Sequence, residues 1–359
     1  MNNSINIFLI STPLQLINAI EARHHFNLAN SDAIIIINAY ATNLTSIQNL
    51  LNNDDWASII YVESSVEQQK EHESNLKNYK LYPVIKKLIT SKKKLDSIIS
   101  SVSKIRYLFV GYYLSLENLH FINSTSHEQI VLLDDGIATI EINRRRRSRQ
   151  SLYSAWSIEF FVKALMKRVL FGYKLYHPDR VTYFSIYKID VPQSDKLICN
   201  NYGFIRQQIG LKSQSQIAYL LGQPLSEINP KIIEEEKYLY YVERIIEHLR
   251  PLRVIYIPHR DEDKSKVTRM INKLGIEILE IQVPFEWFLI HSIERPSKVA
   301  GLVTSALPNC KSLFGGEIEF ISFKMKGEDY IRSGIIQSIT GTYQYFEGIS
   351  DDNFRVISL

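Results

Sequence analysis

Cysteine is nearly missing. The 359 residues hold two, Cys199 and Cys310, with no Cys-x-x-Cys pair and no Cys/His cluster. That excludes a disulfide framework and a structural zinc site, and makes a reducing compartment the default. Long apolar runs are missing too: no segment reaches the ~18 to 20 apolar residues of a membrane span. Met1 to Ser4 carry no basic side chain, and the run Ile5 to Ile10 stops at Ser11-Thr12-Pro13. It reads as a first strand, not a signal peptide. Charge of one sign is scarce, with a net of +4 and a pI near 8.7. That excess is too weak for a nucleic-acid partner but suits an anionic substrate or a membrane surface. There is no internal repeat and no low-complexity tract. The expected location is cytoplasmic, with peripheral contact at the inner membrane face.

What is present is an ordinary globular composition, 45% hydrophobic and 22% charged. The length favours two α/β domains over one. The 21 Tyr and 16 Phe are core and cleft material and select no function. In the first domain, residues 1–200, strands are expected at Ile5–Ile10, Ala33–Asn38, Ser58–Val62, Tyr107–Gly111, Glu128–Asp135 and Val181–Tyr187. Helices are expected behind Ser11-Thr12-Pro13, at Leu44–Leu51, within residues 64–103 and at Ser154–Tyr173. Residues 190–215 read as a polar linker. The second domain, residues 216–340, alternates in the same way. Strands fall at Ile217–Leu221, Arg253–Ile257, Ile276–Ile281, Lys298–Thr304 and Ile318–Phe323. Helices fall at Lys231–Leu249, Lys264–Leu274 with Gly275 as its cap, Pro284–His291 and Asp329–Phe346. Residues 341–359 are expected to pack back on the first domain. Such alternation marks doubly wound parallel sheets.

Three strand ends carry chemistry. Val131-Leu132-Leu133 ends in Asp134-Asp135-Gly136, Val254 to Ile257 ends in Pro258-His259-Arg260, and Val299 to Val303 ends in Thr304-Ser305. Open α/β sheets place ligands at such carboxyl ends. Together the three suggest a base, an anion stabiliser and a phosphate cradle. Each also has a plainer reading. Asp-Gly is common turn chemistry, His259 is one of nine histidines, and Thr304-Ser305 suits a helix N-cap. Glu286 is at home as a first-turn helix acid, and Ser11 to Gln15 as a bare helix start. Arg144 to Arg149, five arginines in six positions, reads first as an exposed basic loop and second as a contact for anionic lipid or glycan.

In order and spacing these residues resemble bacterial GT-B sialyltransferases, namely the lipooligosaccharide sialyltransferases and the capsule polysialyltransferases. The resemblance rests on Asp134-Asp135-Gly136, His259, Thr304-Ser305, the opening Ser11 to Gln15, Tyr256 to Arg260 and Val283-Pro284-Phe285-Glu286. Those families carry His-Pro where this chain has Pro258-His259-Arg260. The one literal pair, His177-Pro178, falls in an expected first-domain loop and is treated as a decoy. The resemblance implies two Rossmann-like domains facing a central cleft. It implies a metal-independent, inverting transferase without cofactor, moving a sialic or related nonulosonic acid from a CMP donor to a bacterial surface glycan. It would make Asp135 the base, Asp134 its partner and Glu227 the reserve base. His259 would meet charge on the leaving phosphate, assisted by Pro258, Arg260, Thr304 and Ser305, and Glu286 would hold the ribose. Ser11, Thr12, Gln15 and Gly136 would lie on the acceptor side. A dimer is allowed. Two rivals stay open: a GT-B enzyme using a UDP- or GDP-sugar, and a non-catalytic glycan- or nucleotide-sugar-binding subunit of capsule assembly.

Overall fold

The computed structural model describes residues 5–39, 41–62, 81–148, 158–228, 231–331 and 333–359. It divides into two compact units, Met1–Phe204 and Ile205–Leu359. In chain order the first unit runs β1 (Ile5–Ile10), α1 (Pro13–His25), β2 (Ala33–Ile37), α2 (Ala41–Leu50), β3 (Ser58–Tyr61), α3 (Leu81–Ser101) and β4 (Ile105–Val110). It continues α4 (Leu116–Ile122), β5 (His127–Leu133), α5 (Ala138–Arg147), α6 (Ile158–Phe171), β6 (Thr182–Ser185) and β7 (Lys196–Cys199). A short helix, α7 (Gly203–Gln208), runs through the unit boundary. All seven strands are parallel, in the order β3-β2-β1-β4-β5-β6-β7.

Sequence explains why these segments are strands. β1, β2 and β4 are dominated by branched and aromatic side chains, which fit a pleated surface covered on both faces. Phe8 stacks on Phe109 with ring centroids 4.2 Å apart and meets Trp56 edge-on. The other side of the sheet closes over a core that includes Ile7, Leu9, Leu108, Val110 and Leu132.

The second unit runs β8 (Gln214–Leu221), α8 (Glu235–Leu249), β9 (Arg253–Ile257), α9 (Lys264–Leu274), β10 (Glu277–Ile278), α10 (Phe285–His291) and β11 (Arg295–Gly301). It ends with α11 (Ala306–Phe314), β12 (Glu319–Lys324), α12 (Ser333–Gly348) and β13 (Phe354–Ser358). Its six parallel strands are ordered β10-β9-β8-β11-β12-β13. Both sheets therefore reverse direction beside their first strand, at β1/β4 and at β8/β11. A doubly wound sheet opens its ligand crevice at that switch point.

Several boundaries differ from expectation. The expected linker, residues 190–215, contains β7 and most of α7, and the units meet between Phe204 and Ile205. Residues 341–359 comprise the end of α12 and β13, which pairs with β12 along its length and so extends the second sheet. The Arg144–Arg149 loop is a helix end: Arg144 to Arg147 form the last turn of α5. There Glu141 binds Arg144 at 2.8 Å and Arg145 at 2.6 Å, the i,i+3 and i,i+4 pairing that stabilises helices. Arg149, residues 64–80 of the expected 64–103 helices, and residues 151–157 ahead of α6 lie outside the described residues. No helix among the described residues is long and apolar enough to cross a membrane.

Candidate active site

β5 delivers its two aspartates to different fates. Asp134 is buried. Ser185 Oγ donates to it at 2.6 Å and the Ile186 amide at 2.8 Å, which staples the end of β5 to the end of β6. Its own carbonyl accepts from Asn18 Nδ2 on α1 at 3.0 Å. Burial pushes its carboxyl up to about 7, against the pull of those donors. Asp135 is half-buried. Its Oδ1 accepts from Gln15 Nε2 at 2.7 Å. Gly136 then turns the chain into α5 with φ of +63°, a backbone region that favours glycine.

Gln15 is the organiser of this end of the sheet. Its Oε1 accepts from the Ser11 amide at 2.7 Å and from Ser11 Oγ at 3.1 Å. That fixes the amide orientation and leaves Nε2 to face Asp135. Thr12 Oγ1 caps α1 by accepting from the Gln15 amide at 3.3 Å. Gln15 crosses the end of β4 directly over Gly111, where a Cβ would lie 2.2 Å from Gln15 Oε1. So Ser11, Thr12, Gln15, Asp135 and Gly136 are brought together from the ends of β1 and β5, which flank β4 in the sheet. Sequence reasoning missed Gly111, Tyr112, Asn18 and Ser185. Tyr112 follows Gly111, and its phenol is held up by burial and then by the Asp135 charge. Asn18 also accepts from Tyr202 OH at 2.8 Å. The missed signal was a polar stripe, Gln15, Asn18 and Glu21, on the buried face of α1.

In the second unit, β9 ends at Pro258-His259-Arg260. The Asp261 amide donates to His259 Nδ1 at 3.2 Å, so a neutral imidazole carries its proton on Nε2. Partial burial holds its pKa below the usual value; Arg260 adds to this, and Asp261, 3.7 Å away, opposes it. Arg260 Nε is 3.8 Å from the same Asp261 carboxylate. The His259 amide donates to Glu262 at 2.7 Å. Glu262 also accepts from Tyr256 OH and from Lys266, each at 2.6 Å. Lys266 is fully buried, reaches Glu227 at 2.7 Å and lies 4.0 Å from the centre of the Tyr238 ring. Gly222 leaves room for this cluster: a Cβ there would stand 2.1 Å from Glu262 Oε2.

Glu227, the expected reserve base, is part of that anchor. Its Oε1 takes Lys266 and the Asp263 amide, and its Oε2 takes the Ser226 amide and hydroxyl. Burial pushes its carboxyl up, but Lys266 and these donors outweigh burial and hold it below the ordinary range. A carboxylate so engaged is a poor proton acceptor.

At the second switch point, Gln223 clasps Val303 through both ends of its amide, at 2.6 and 3.0 Å. This ties the end of β8 to the loop bearing Thr304 and Ser305. Thr304 Oγ1 accepts from the Ala306 amide at 3.3 Å, while the Ser305 side chain makes no capping bond to α11. The plain N-cap reading therefore accounts for Thr304 and not for Ser305. Glu286, in the first turn of α10, is buried and accepts from Asn309 Nδ2 of α11 at 2.8 Å. Burial raises its carboxyl pKa and Asn309 opposes the rise.

His177, the literal His-Pro position, sits in the first unit, edge-on to Tyr113 at 5.6 Å. Burial and Arg146 push its pKa down to about 4. Cys199 and Cys310 are both free thiols. Among the described residues no group of three His, Cys, Asp or Glu is arranged to hold a metal ion.

With this geometry in hand, comparison with known proteins is informative. Residues 6–323 match the family profile described as Alpha-2,8-polysialyltransferase (POLYST). No curated protein matches the sequence. One similar solved structure is a 2,6-sialyltransferase of Photobacterium sp. JT-ISH-224, in complex with the donor product CMP and the acceptor substrate lactose. It is 14% identical with a TM-score of 0.51, covering 99% of this chain and 78% of that one. Another is a UDP-N-acetylglucosamine 2-epimerase, so described without proof of activity, from Listeria monocytogenes. It is 12% identical with a TM-score of 0.51, covering 89% of this chain and 79% of that one. At these identities the likeness speaks to fold alone: two parallel-sheet α/β domains of the GT-B type.

Proposed function

The chain belongs to the alpha-2,8-polysialyltransferase family, and on that premise we propose that it moves a sialic or related nonulosonic acid from a CMP donor to the terminal sugar of a bacterial surface glycan. Asp135 is the base, and the observation that carries this is its geometry: a half-buried carboxylate at a strand end, held by Gln15 Nε2 at 2.7 Å. The acceptor hydroxyl gives its proton to Asp135 as its oxygen bonds to the anomeric carbon. The bond from that carbon to the phosphate oxygen breaks on the opposite side, and the electron pair leaves with CMP. Attack opposite the leaving group inverts the anomeric centre. His259, a neutral donor through Nε2, meets the charge gathering on the phosphate. Ser305 and the α11 N-terminus bind the same phosphate, and Glu286 receives the ribose. No cofactor beyond the donor takes part. The family's alpha-2,8 polysialyl linkage makes an acceptor ending in sialic acid the first to test.

Nucleotide choice is tested by thermal protection. CMP is expected to raise stability more than UMP or GMP at equal concentration. A ligand that binds only the native state adds about 2.7 kcal/mol at ~100 Kd. Equal or better protection by UMP would hand the donor to a UDP-sugar.

His259→Ala is expected to lower kcat by ~100-fold or more, the scale for one electrostatic donor, with a smaller effect on donor binding. His177→Ala should change turnover little, because that ring packs edge-on against Tyr113, and burial and Arg146 hold its pKa at about 4. The reverse outcome would mean that the bare His-Pro dipeptide, and not strand-end position, marks the site.

A further inference from the structure

Helix α6 turns a wide apolar face outward. Among its described side chains, Ala164 and Lys167 are buried and Phe171 packs on the core, and Lys167 is accommodated there by Glu117, 2.5 Å from its ammonium. The other large apolar side chains described on this helix are on the opposite side. Phe161, Val162, Leu165, Met166, Val169 and Leu170 are each between 46% and 71% exposed. Their spacing is helical, so they form one stripe. A soluble helix normally reverses this arrangement, and a contiguous exposed apolar face of this kind marks an interaction site.

The rim of the stripe is basic. Arg168, exposed, lies 5.4 Å from the centre of the Tyr176 ring just beyond the helix. Lys174 and Arg180 are exposed on the segment that follows. Arg146 binds the carbonyls of Pro178 and Asp179, which brings the basic end of α5 alongside. Arg144, Arg145 and Arg147 extend the rim there. The acids among them are Glu141, paired with Arg144 and Arg145, Asp190, paired with Arg147, and Asp179. Among the described side chains, six cations thus meet three carboxylates.

We propose that α6 lies in the interface of an anionic lipid bilayer, with its apolar stripe among the acyl chains and its rim on the headgroups. Phe161 to Leu170 covers ~14 Å of helix axis, far short of a span and suited to lying in the membrane plane. A second copy of the chain is the weaker occupant. A two-fold contact apposes each patch to itself, which would set the same basic rims against each other. Anionic headgroups neutralise them instead. The contact first expected of Arg144 to Arg149 is thereby widened to α6, with Arg146 itself committed to Asp195 at 2.7 and 2.8 Å. This inference does not rest on the catalytic reading.

The test is co-sedimentation of the full chain with vesicles of phosphatidylcholine, alone or with about 30% phosphatidylglycerol. The wild type is expected to sediment with the anionic vesicles and less with the neutral ones. Leu165→Gln with Val169→Gln should lower partitioning about 10-fold or more, since both side chains leave the acyl region. Arg168→Gln with Lys174→Gln should weaken binding to the anionic vesicles only, and added salt should mimic it. All four positions are exposed, so unchanged thermal melts serve as the folding control. Transfer to a soluble acceptor without vesicles should be unchanged in both pairs, which separates this idea from the proposed chemistry. Absence of sedimentation, or wild-type binding by the Leu165/Val169 pair, overturns it. So does a dimer in ultracentrifugation that this pair dissolves while lipid binding is absent, for then the face belongs to a second copy. Equal binding to both vesicle types would remove the basic rim from the account.

Discussion

Asp135→Asn is expected to lower turnover by roughly 100- to 10,000-fold, the usual cost of removing a general base, while CMP binding stays at its wild-type value. The substitution is close to isosteric. The new side-chain oxygen can still accept from Gln15 Nε2, so the contact now 2.7 Å long is kept. What is lost is the capacity to take the acceptor proton. Donor affinity is a control with physical content, because every group proposed to hold CMP lies in the second unit. Asp134 cannot substitute: it is 1% exposed, with its carboxylate turned to Ser185 and Ile186. Single-turnover transfer and nucleotide protection, measured on the same preparation, separate the two effects. Near-wild-type transfer by Asp135→Asn would remove Asp135 as the base. Parallel loss of transfer and CMP protection would point to damage beyond the base.

The strand ends were the legible part of this molecule. A buried parallel strand has an apolar run that must stop where the sheet stops, so Leu133-Asp134 and Ile257-Pro258 announce their positions in the sequence alone. The same logic makes Ala33 to Ile37 unmistakable. Pairings between distant positions have no such signal. Arg144 to Arg147 looked like a loop because their charge dominates the reading. Yet Glu141 stands three and four residues earlier, and that spacing is the available clue to a helix end. β13 was missed because an edge strand needs only one anchored residue, here the buried Phe354, and its remaining positions are partly exposed. The linker expected at residues 190–215 hides β7 for the same reason, since Lys196 and Leu197 are exposed at the sheet edge. The hardest case is Asp261-Glu262-Asp263-Lys264. It reads as a solvated charge run, but Glu262 turns inward onto Tyr256 and Lys266, into space left by a glycine at the end of another strand.

That buried cluster carries the largest expected stability effect. Lys266→Met should destabilise the protein by about 3 to 5 kcal/mol, the scale for removing one partner of a buried ion pair. Lys266 is the cation between two acids, 2.6 Å from Glu262 and 2.7 Å from Glu227, and it also donates to the Gln223 carbonyl at 3.3 Å. Methionine fills much of the volume and supplies no charge, so Glu262 is left buried with only Tyr256 OH and the His259 amide. Both carboxyls then favour protonation in the folded state, with pKa values above their unfolded ones. A raised folded pKa means that stability is present at low pH and is lost as pH rises through the window between the unfolded and folded values. The deficit of Lys266→Met should therefore be larger at pH 8 than at pH 5. Adding Glu262→Gln should restore part of it, because the acid left without its cation is gone. The cluster also holds the His259 backbone, so the single variant should lose turnover beyond what its unfolded fraction accounts for. Denaturant melts at the two pH values, with activity per folded molecule, measure all of this. A loss below about 1 kcal/mol, equal at both pH values, would mean that Lys266 is a surface lysine in solution and that the strand-end loop carrying His259 is anchored by something else.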